Sequence, residues 1–224
     1  AEHAREDVGQ CDAESAHAEE VGEDGLNPQT QRRFVHRHRA ARFCGDEEFS
    51  YEQLWSQSLW LSAELKEKFG IKPGDRVALW LKNCPQFIPA LFGVLQADAV
   101  ATPINNFLKP DEMNYILSDA GIDVVITDST TAEAAAQLSK MRPQLKFLFV
   151  ENFPAQLAPV ENFTPSTRAA SDLAVLIYTS GTTGRPKGAM LSHDNLLHNV
   201  ESCRVVLQTV GNDRIVVLLP MFHS

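Results

Sequence analysis

Short apolar runs alternating with amphipathic stretches of ten or so residues predict an α/β fold, with mainly parallel sheets covered by helices on both faces. Three observations carry this expectation. The segments Asp75 to Leu81, Ala99 to Ile104 and Asp123 to Thr127 are nearly continuous apolar runs, as strands buried on both faces must be. The stretches between them repeat their apolar residues at helical spacing. A chain of 224 residues that is 44% hydrophobic and 8% aromatic can also bury a substantial core.

Residues 1–27 are the exception. Nine acids stand against one base in residues 1–25, without apolar periodicity, a composition that predicts a disordered acidic tail. Arg32, Arg33, Arg37, Arg39 and Arg42 follow with His36 and His38, and read as a basic helix. Regular structure is expected from Phe49. Ser50 and Gln53 make a capping box, Leu54, Leu61, Leu65 and Phe69 share one helical face, and Gly70 stops the helix. The strand Asp75 to Leu81 leads to an apolar helix, Pro85 to Gln96, and then to the strand Ala99 to Ile104. Pro110, with Asp111 and Glu112 in the first turn, opens a helix whose Met113, Ile116, Leu117 and Ala120 follow the i, i+3, i+4, i+7 rule up to Gly121. The strand Asp123 to Thr127, a helix from Thr130 to Lys140 and the strand Lys146 to Val150 complete a first sub-unit, about 49–151. Pro154, Pro159 and Pro165 make Asn152 to Ser171 a connector. A second sub-unit, 172–224, is expected to hold the buried strand Leu173 to Tyr178, a short strand at Ala189–Leu191, and a helix capped by Ser192 with Leu196, Leu197, Val200 and Leu207 inward. Asp213 to Leu219 is expected as a further buried strand, whose open neighbours would favour self-association into a homo-oligomer.

Charge and cysteine content narrow the function. Outside the tail, 20 acids meet 19 bases, a balance that argues against nucleic-acid binding. The longest apolar runs, Phe87 to Leu95 and Ile215 to Phe222, fall short of the roughly 20 residues of a membrane span and both contain proline. No secretory signal pattern opens the chain. Cys11, Cys44, Cys84 and Cys203 are singly spaced, which predicts reduced thiols in a cytoplasmic protein and no structural metal.

The chemistry concentrates between Thr179 and Gly188. Gly181, Gly184 and Gly188 free the backbone to turn its N–H groups toward an anion, Thr179, Ser180, Thr182 and Thr183 add hydroxyl donors, and Lys187 adds a compact cation. Such a donor set suits a polyphosphate. The common P-loop, G-x-x-x-x-G-K-[ST] followed by a helix, does not fit: Pro186 separates Gly184 from the lysine, and an apolar run follows. A kinase or ATPase of that type is therefore disfavoured.

Tyr178 to His193, YTSGTTGRPKGAMLSH, resembles the signature loop of the adenylate-forming superfamily, which includes acyl- and aryl-CoA synthetases, luciferases and peptide-synthetase adenylation domains. The ending Leu219-Pro220-Met221-Phe222-His223-Ser224 resembles the L-P-x-F-H-S segment of fatty acyl-CoA ligases. The resemblance covers about residues 49–224 and identifies 28–224 as a partial N-terminal AMP-binding region of the large domain. Gln96-Ala97-Asp98-Ala99 departs from it, because relatives commonly carry Lys-Ala-Gly-Ala there.

The resemblance implies activation of a carboxylate by ATP and Mg²⁺, with pyrophosphate release, and transfer of the acyl group to CoA. The acid would be a medium- or long-chain fatty acid or another small carboxylate. Lys187 and the loop hydroxyls would meet the phosphates; Phe222 and His223 would line the acid site, although a lone histidine after an apolar strand is more often structural. The place of His223 at a strand's carboxyl end and the resemblance favour the site. His193 reads either as the end of the motif or as a helix-start residue. The family's adenine-binding segment with its Mg²⁺-binding glutamate, its ribose-binding aspartate, its hinge and its C-terminal domain have no counterpart in the 224 residues. The chain alone is therefore expected to be inactive. A module that binds a nucleotide or partner without catalysis is the alternative.

Overall fold

In a computed structural model, the described residues are 40–42, 48–155, 157, 168–179, 185–211, 213 and 215–222. The acidic tail, most of the stretch read as a basic helix and most of the connector lie outside them; Arg42, the last arginine of that stretch, stands in a strand and not in a helix. Two short antiparallel strands, β1 (Ala40–Arg42) and β2 (Glu48–Ser50), form a ribbon. Helix α1 (Tyr51–Glu67) follows directly. The Ser50 hydroxyl accepts from the Gln53 amide at 3.1 Å while Gln53 Oε1 accepts from the Ser50 amide at 2.7 Å, the expected capping box.

The main body alternates strand and helix: β3 (Arg76–Trp80), α2 (Phe87–Gln96), β4 (Val100–Pro103), α3 (Pro110–Asp119), β5 (Val124–Thr127), α4 (Ala132–Met141) and β6 (Lys146–Phe149). Strand β7 (Leu173–Thr179), strand β8 (Lys187–Ser192) and helix α5 (His193–Leu207) follow the connector. The sheet order is β6-β5-β3-β4-β7-β8; the first five strands run parallel and β8 turns back antiparallel to β7.

Side chains alternate between the two faces of the sheet. Val77, Leu79, Val124 and Ile126 pack with Leu61 and Leu65 of α1 and with Ala90 and Val94 of α2. Ala78, Trp80 and Val125 pack on the opposite face with Met113, Ile116 and Leu117 of α3 and with Leu138 of α4. Such two-sided burial follows from right-handed crossovers, which send successive helices to opposite faces when the chain reverses direction across the sheet. Helices α1 and α2 approach closely at Gly93, where a Cβ would lie 2.8 Å from Leu61 Cδ2 and 2.9 Å from the Ser58 carbonyl oxygen. Gly70 and Gly121 end α1 and α3 at φ 72 and 61, as their places in the sequence suggest.

Two expectations need correction. Asp213 to Leu219 is not a strand among the described residues; Ile215, Val216, Val217, Leu218 and Leu219 are all exposed, Leu218 to 85%. An apolar run becomes a strand only where a ladder partner exists, and no described backbone segment pairs with it. Helix α5 forms and is capped by Ser192, but none of its residues is buried: Leu196 leans partly on the core, while Leu197, Val200 and Leu207 face solvent. At Asp98, where the sequence departs from Lys-Ala-Gly-Ala, the turn accepts the aspartate side chain in the left-handed backbone region, with φ 63, a conformation that aspartate tolerates better than most residues. Its carboxylate pairs with Lys66 at 3.2 Å. No described helix is long and apolar enough to cross a membrane.

Candidate active site

The two strands of the β7–β8 hairpin bring together the ends of the glycine-rich loop. Thr179, the last residue of β7, stands directly opposite Lys187, the first of β8, and Tyr178 stands opposite Gly188. Directly opposed residues hold their Cβ atoms roughly 5 Å apart on one face of the pair, so a hydroxyl and an ammonium group flank the hairpin mouth. Both residues are exposed. Among the described residues no carboxylate forms an ion pair with Lys187, which leaves its charge available to an anion. Ser180, Gly181, Thr182, Thr183 and Gly184 lie outside the described residues.

Gly188 has a packing reason to be glycine. A Cβ there would fall 2.9 Å from Leu176 Cδ1 and 3.3 Å from Tyr178 Cζ, so its bare backbone lets both side chains lie across β8. The Tyr178 hydroxyl then reaches α3, donating to Asp119 Oδ2 at 2.6 Å. Burial, reinforced by the Asp119 carboxylate, holds this phenol well above the ordinary tyrosine range. On the other arm, the Arg185 guanidinium lies 5.9 Å from the centroid of the Tyr115 ring. Helix α3 thus tethers both arms of the loop.

A cavity of about 280 Å³ opens beside the mouth, lined mainly by apolar groups that include Ile104, Leu108, Ile177, Tyr178 and Phe222, with Asn105 and Thr179 as polar members. It lies at the carboxyl ends of β4 and β7, where open α/β sheets place their ligands. Phe222 is buried and meets the Phe107 ring edge-on, with centroids 6.2 Å apart. His223 lies outside the described residues. A second cavity, of about 290 Å³ beside Ser50, Gln57 and Pro154, includes no residue of the loop and is not part of this site.

Thr179, Lys187 and the cavity lined by Phe222 therefore occupy one end of the sheet. Asn83, Tyr115, Asp119 and Arg185 were not singled out from the sequence. Only Asn83 carried a usable signal, its place just beyond a parallel strand's carboxyl end; the others depend on which helix packs beneath the hairpin.

Comparison with known proteins agrees with this architecture. A family described as AMP-binding enzyme matches residues 29–224, beginning ahead of the Phe49 start suggested by the motifs. A feruloyl-CoA synthase of Amycolatopsis sp is 37% identical over 157 residues, covering 69% of this chain and 30% of that protein. A long-chain-fatty-acid–CoA ligase of Escherichia coli O157:H7 is 32% identical over 215 residues, covering 79% and 38%. Among solved structures, o-succinylbenzoate CoA synthetase from Bacillus subtilis, in complex with its acyl-adenylate intermediate, superposes with a TM-score of 0.73 at 25% identity, covering 87% of this chain and 49% of that one. Apo MatB from Rhodopseudomonas palustris also gives 0.73, at 26% identity, covering 84% and 38%. The chain thus spans less than half the length of these relatives. With the family match running over nearly all of its length and the hairpin loop set at the end of a parallel sheet, the chain belongs to the AMP-binding enzyme family.

Proposed function

We propose that this chain contributes the phosphate-binding hairpin and one wall of the acid site to an ATP-dependent acyl-CoA ligase. A carboxylate oxygen attacks the α-phosphorus of ATP, pyrophosphate leaves, and the CoA thiol then displaces AMP from the acyl-adenylate. The relatives are two to three times longer, so the complete reaction is proposed for a protein supplying that further length. The observation that carries the reading is the Lys187 ammonium, without an ion-pair partner among the described residues, facing Thr179 beside a largely apolar cavity.

The residues fit the group they would hold. An ammonium and a hydroxyl at the mouth, with the loop hydroxyls of Ser180, Thr182 and Thr183 and the backbone amides of Gly181 and Gly184, can bind phosphate oxygens and offset the charge that develops as pyrophosphate departs. In the proposed reaction Mg²⁺ would come bound to the nucleotide. Its chemistry there is to neutralise the polyphosphate. Phe222 and His223 would line the carboxylate and acyl site.

We infer a medium- or long-chain fatty acid as substrate, from the apolar lining and the likeness to fatty acyl ligases. An aryl acid is the second reading. It is favoured by the Phe107–Phe222 edge pair beside the cavity and by the feruloyl-CoA synthase relative. A non-catalytic binding module would share the nucleotide contacts and lack the acid site.

Titration of the isotope-labelled chain with Mg-ATP tests the phosphate assignment. The amide resonances of Thr179, Lys187 and Gly188 should shift, and Lys187→Ala should weaken binding by about tenfold while the melting temperature stays put. Equal binding by both proteins would sink the assignment. Competition between decanoate and ferulate separates the two acids, and binding of neither would favour the module.

A further inference from the structure

We propose that Asn83 is a positioning residue for the acid site, fixing the segment that carries Phe222; the inference rests on the function proposed above. The chain from Ile215 to Leu219 is exposed throughout, Leu219 to 78%. Three residues later Phe222 is only 8% exposed. Something captures the chain in between, and the described contacts identify it. Asn83 Nδ2 donates to the Leu219 carbonyl at 2.9 Å, and Asn83 Oδ1 accepts from the Met221 amide at 2.7 Å.

This pair of bonds has the logic of a parallel ladder. In a parallel sheet one residue donates to a carbonyl and accepts from the amide two residues further along its neighbour. Asn83, just past the end of β3, performs both exchanges with its carboxamide, across 136 and 138 residues of sequence. The carboxamide of Asn or Gln carries a donor and an acceptor side by side on one planar group, and the shorter stem of Asn leaves less freedom to be lost.

Two further contacts complete the seat. Met221 packs partly against the core on the α1–α2 face, and Phe222 meets the Phe107 ring from the loop after β4. The loops after β3 and β4 therefore hold the segment from two sides, and Phe222 reaches the cavity it shares with Thr179. Asn83 does not line that cavity. Its effect on an acid would pass through Phe222.

The test uses the 224-residue chain with Asn83→Leu, which removes both polar contacts, and Asn83→Asp, which keeps the acceptor for Met221. Amide hydrogen exchange is followed at Met221, with Val77 to Trp80 as an internal control. Dissociation constants are measured for decanoate, ferulate and Mg-ATP. In Asn83→Leu, Met221 should exchange at least about tenfold faster with the control unaltered. The better-bound acid should weaken by about tenfold and Mg-ATP by less than about twofold, with Asn83→Asp recovering Met221 protection and part of the acid affinity. Unaltered exchange at Met221, unaltered acid binding, or parallel weakening of acid and Mg-ATP would each overturn the proposal. If the unaltered chain binds neither acid, the proposed function itself fails and this inference with it. If the unaltered chain binds acid and Asn83→Leu binds it equally well, the positioning role alone fails.

Discussion

Helices α3 and α5 both carry apolar residues at helical spacing, yet α3 buries Met113, Ile116 and Leu117 while α5 buries nothing. Both begin with acidic residues in the first turn, and α5 adds a full capping box between Ser192 and Asn195. Local signals therefore do not distinguish them. The difference lies in what stands opposite. Helix α3 lies over β3 and β5, whose outward side chains Ala78, Trp80 and Val125 fill the space beneath it. Helix α5 is anchored mainly by its first turn, where the amides of His193 and Asp194 donate to the carbonyls of Asp172 and Ala170. An apolar stripe specifies a face that can be buried, and burial itself needs a partner.

Mutations can break or sharpen that contrast. Leu117 is fully buried, so Leu117→Ala should lower unfolding free energy by about 2–5 kcal/mol in urea titration. Gly93→Ala addresses the same packed half from the opposite direction. The added methyl would press on the Ser58 carbonyl, backbone that cannot swing aside, and should cost about 1–3 kcal/mol. A neutral result would mean that α1 and α2 can slide apart, and that the core is looser than its close contacts indicate. Leu197→Ser on α5 should change stability by about 0.5 kcal/mol or less, because that side chain already meets solvent. A loss comparable with Leu117→Ala would show that α5 is covered in solution and would abolish the contrast.

The site divides along a similar line. The hairpin was legible as two strands around a glycine loop, because glycines and a proline interrupt two apolar runs over a short span. The direction of β8, the opposition of Thr179 and Lys187, and the tethering of Tyr178 to Asp119 were not legible, since each joins residues through pairing or packing rather than through neighbourhood in the chain. Asn83 is the clearest case. Its place just beyond a strand's carboxyl end marks it as a candidate, but its carboxamide serves residues 136 and 138 positions away, and that exchange is set by packing alone.

By itself the sequence determined the elements from Ser50 to Phe149. The cap at Ser50, the proline opening at Pro110, the stops at Gly70 and Gly121 and the period of the apolar residues all act within a turn or two of the chain, so they are written locally. The apolar run from Asp213 to Leu219 carried the same local marks of a strand. Whether it paired was decided by the tertiary structure alone, because a ladder needs a second backbone alongside, and no described residue supplies one.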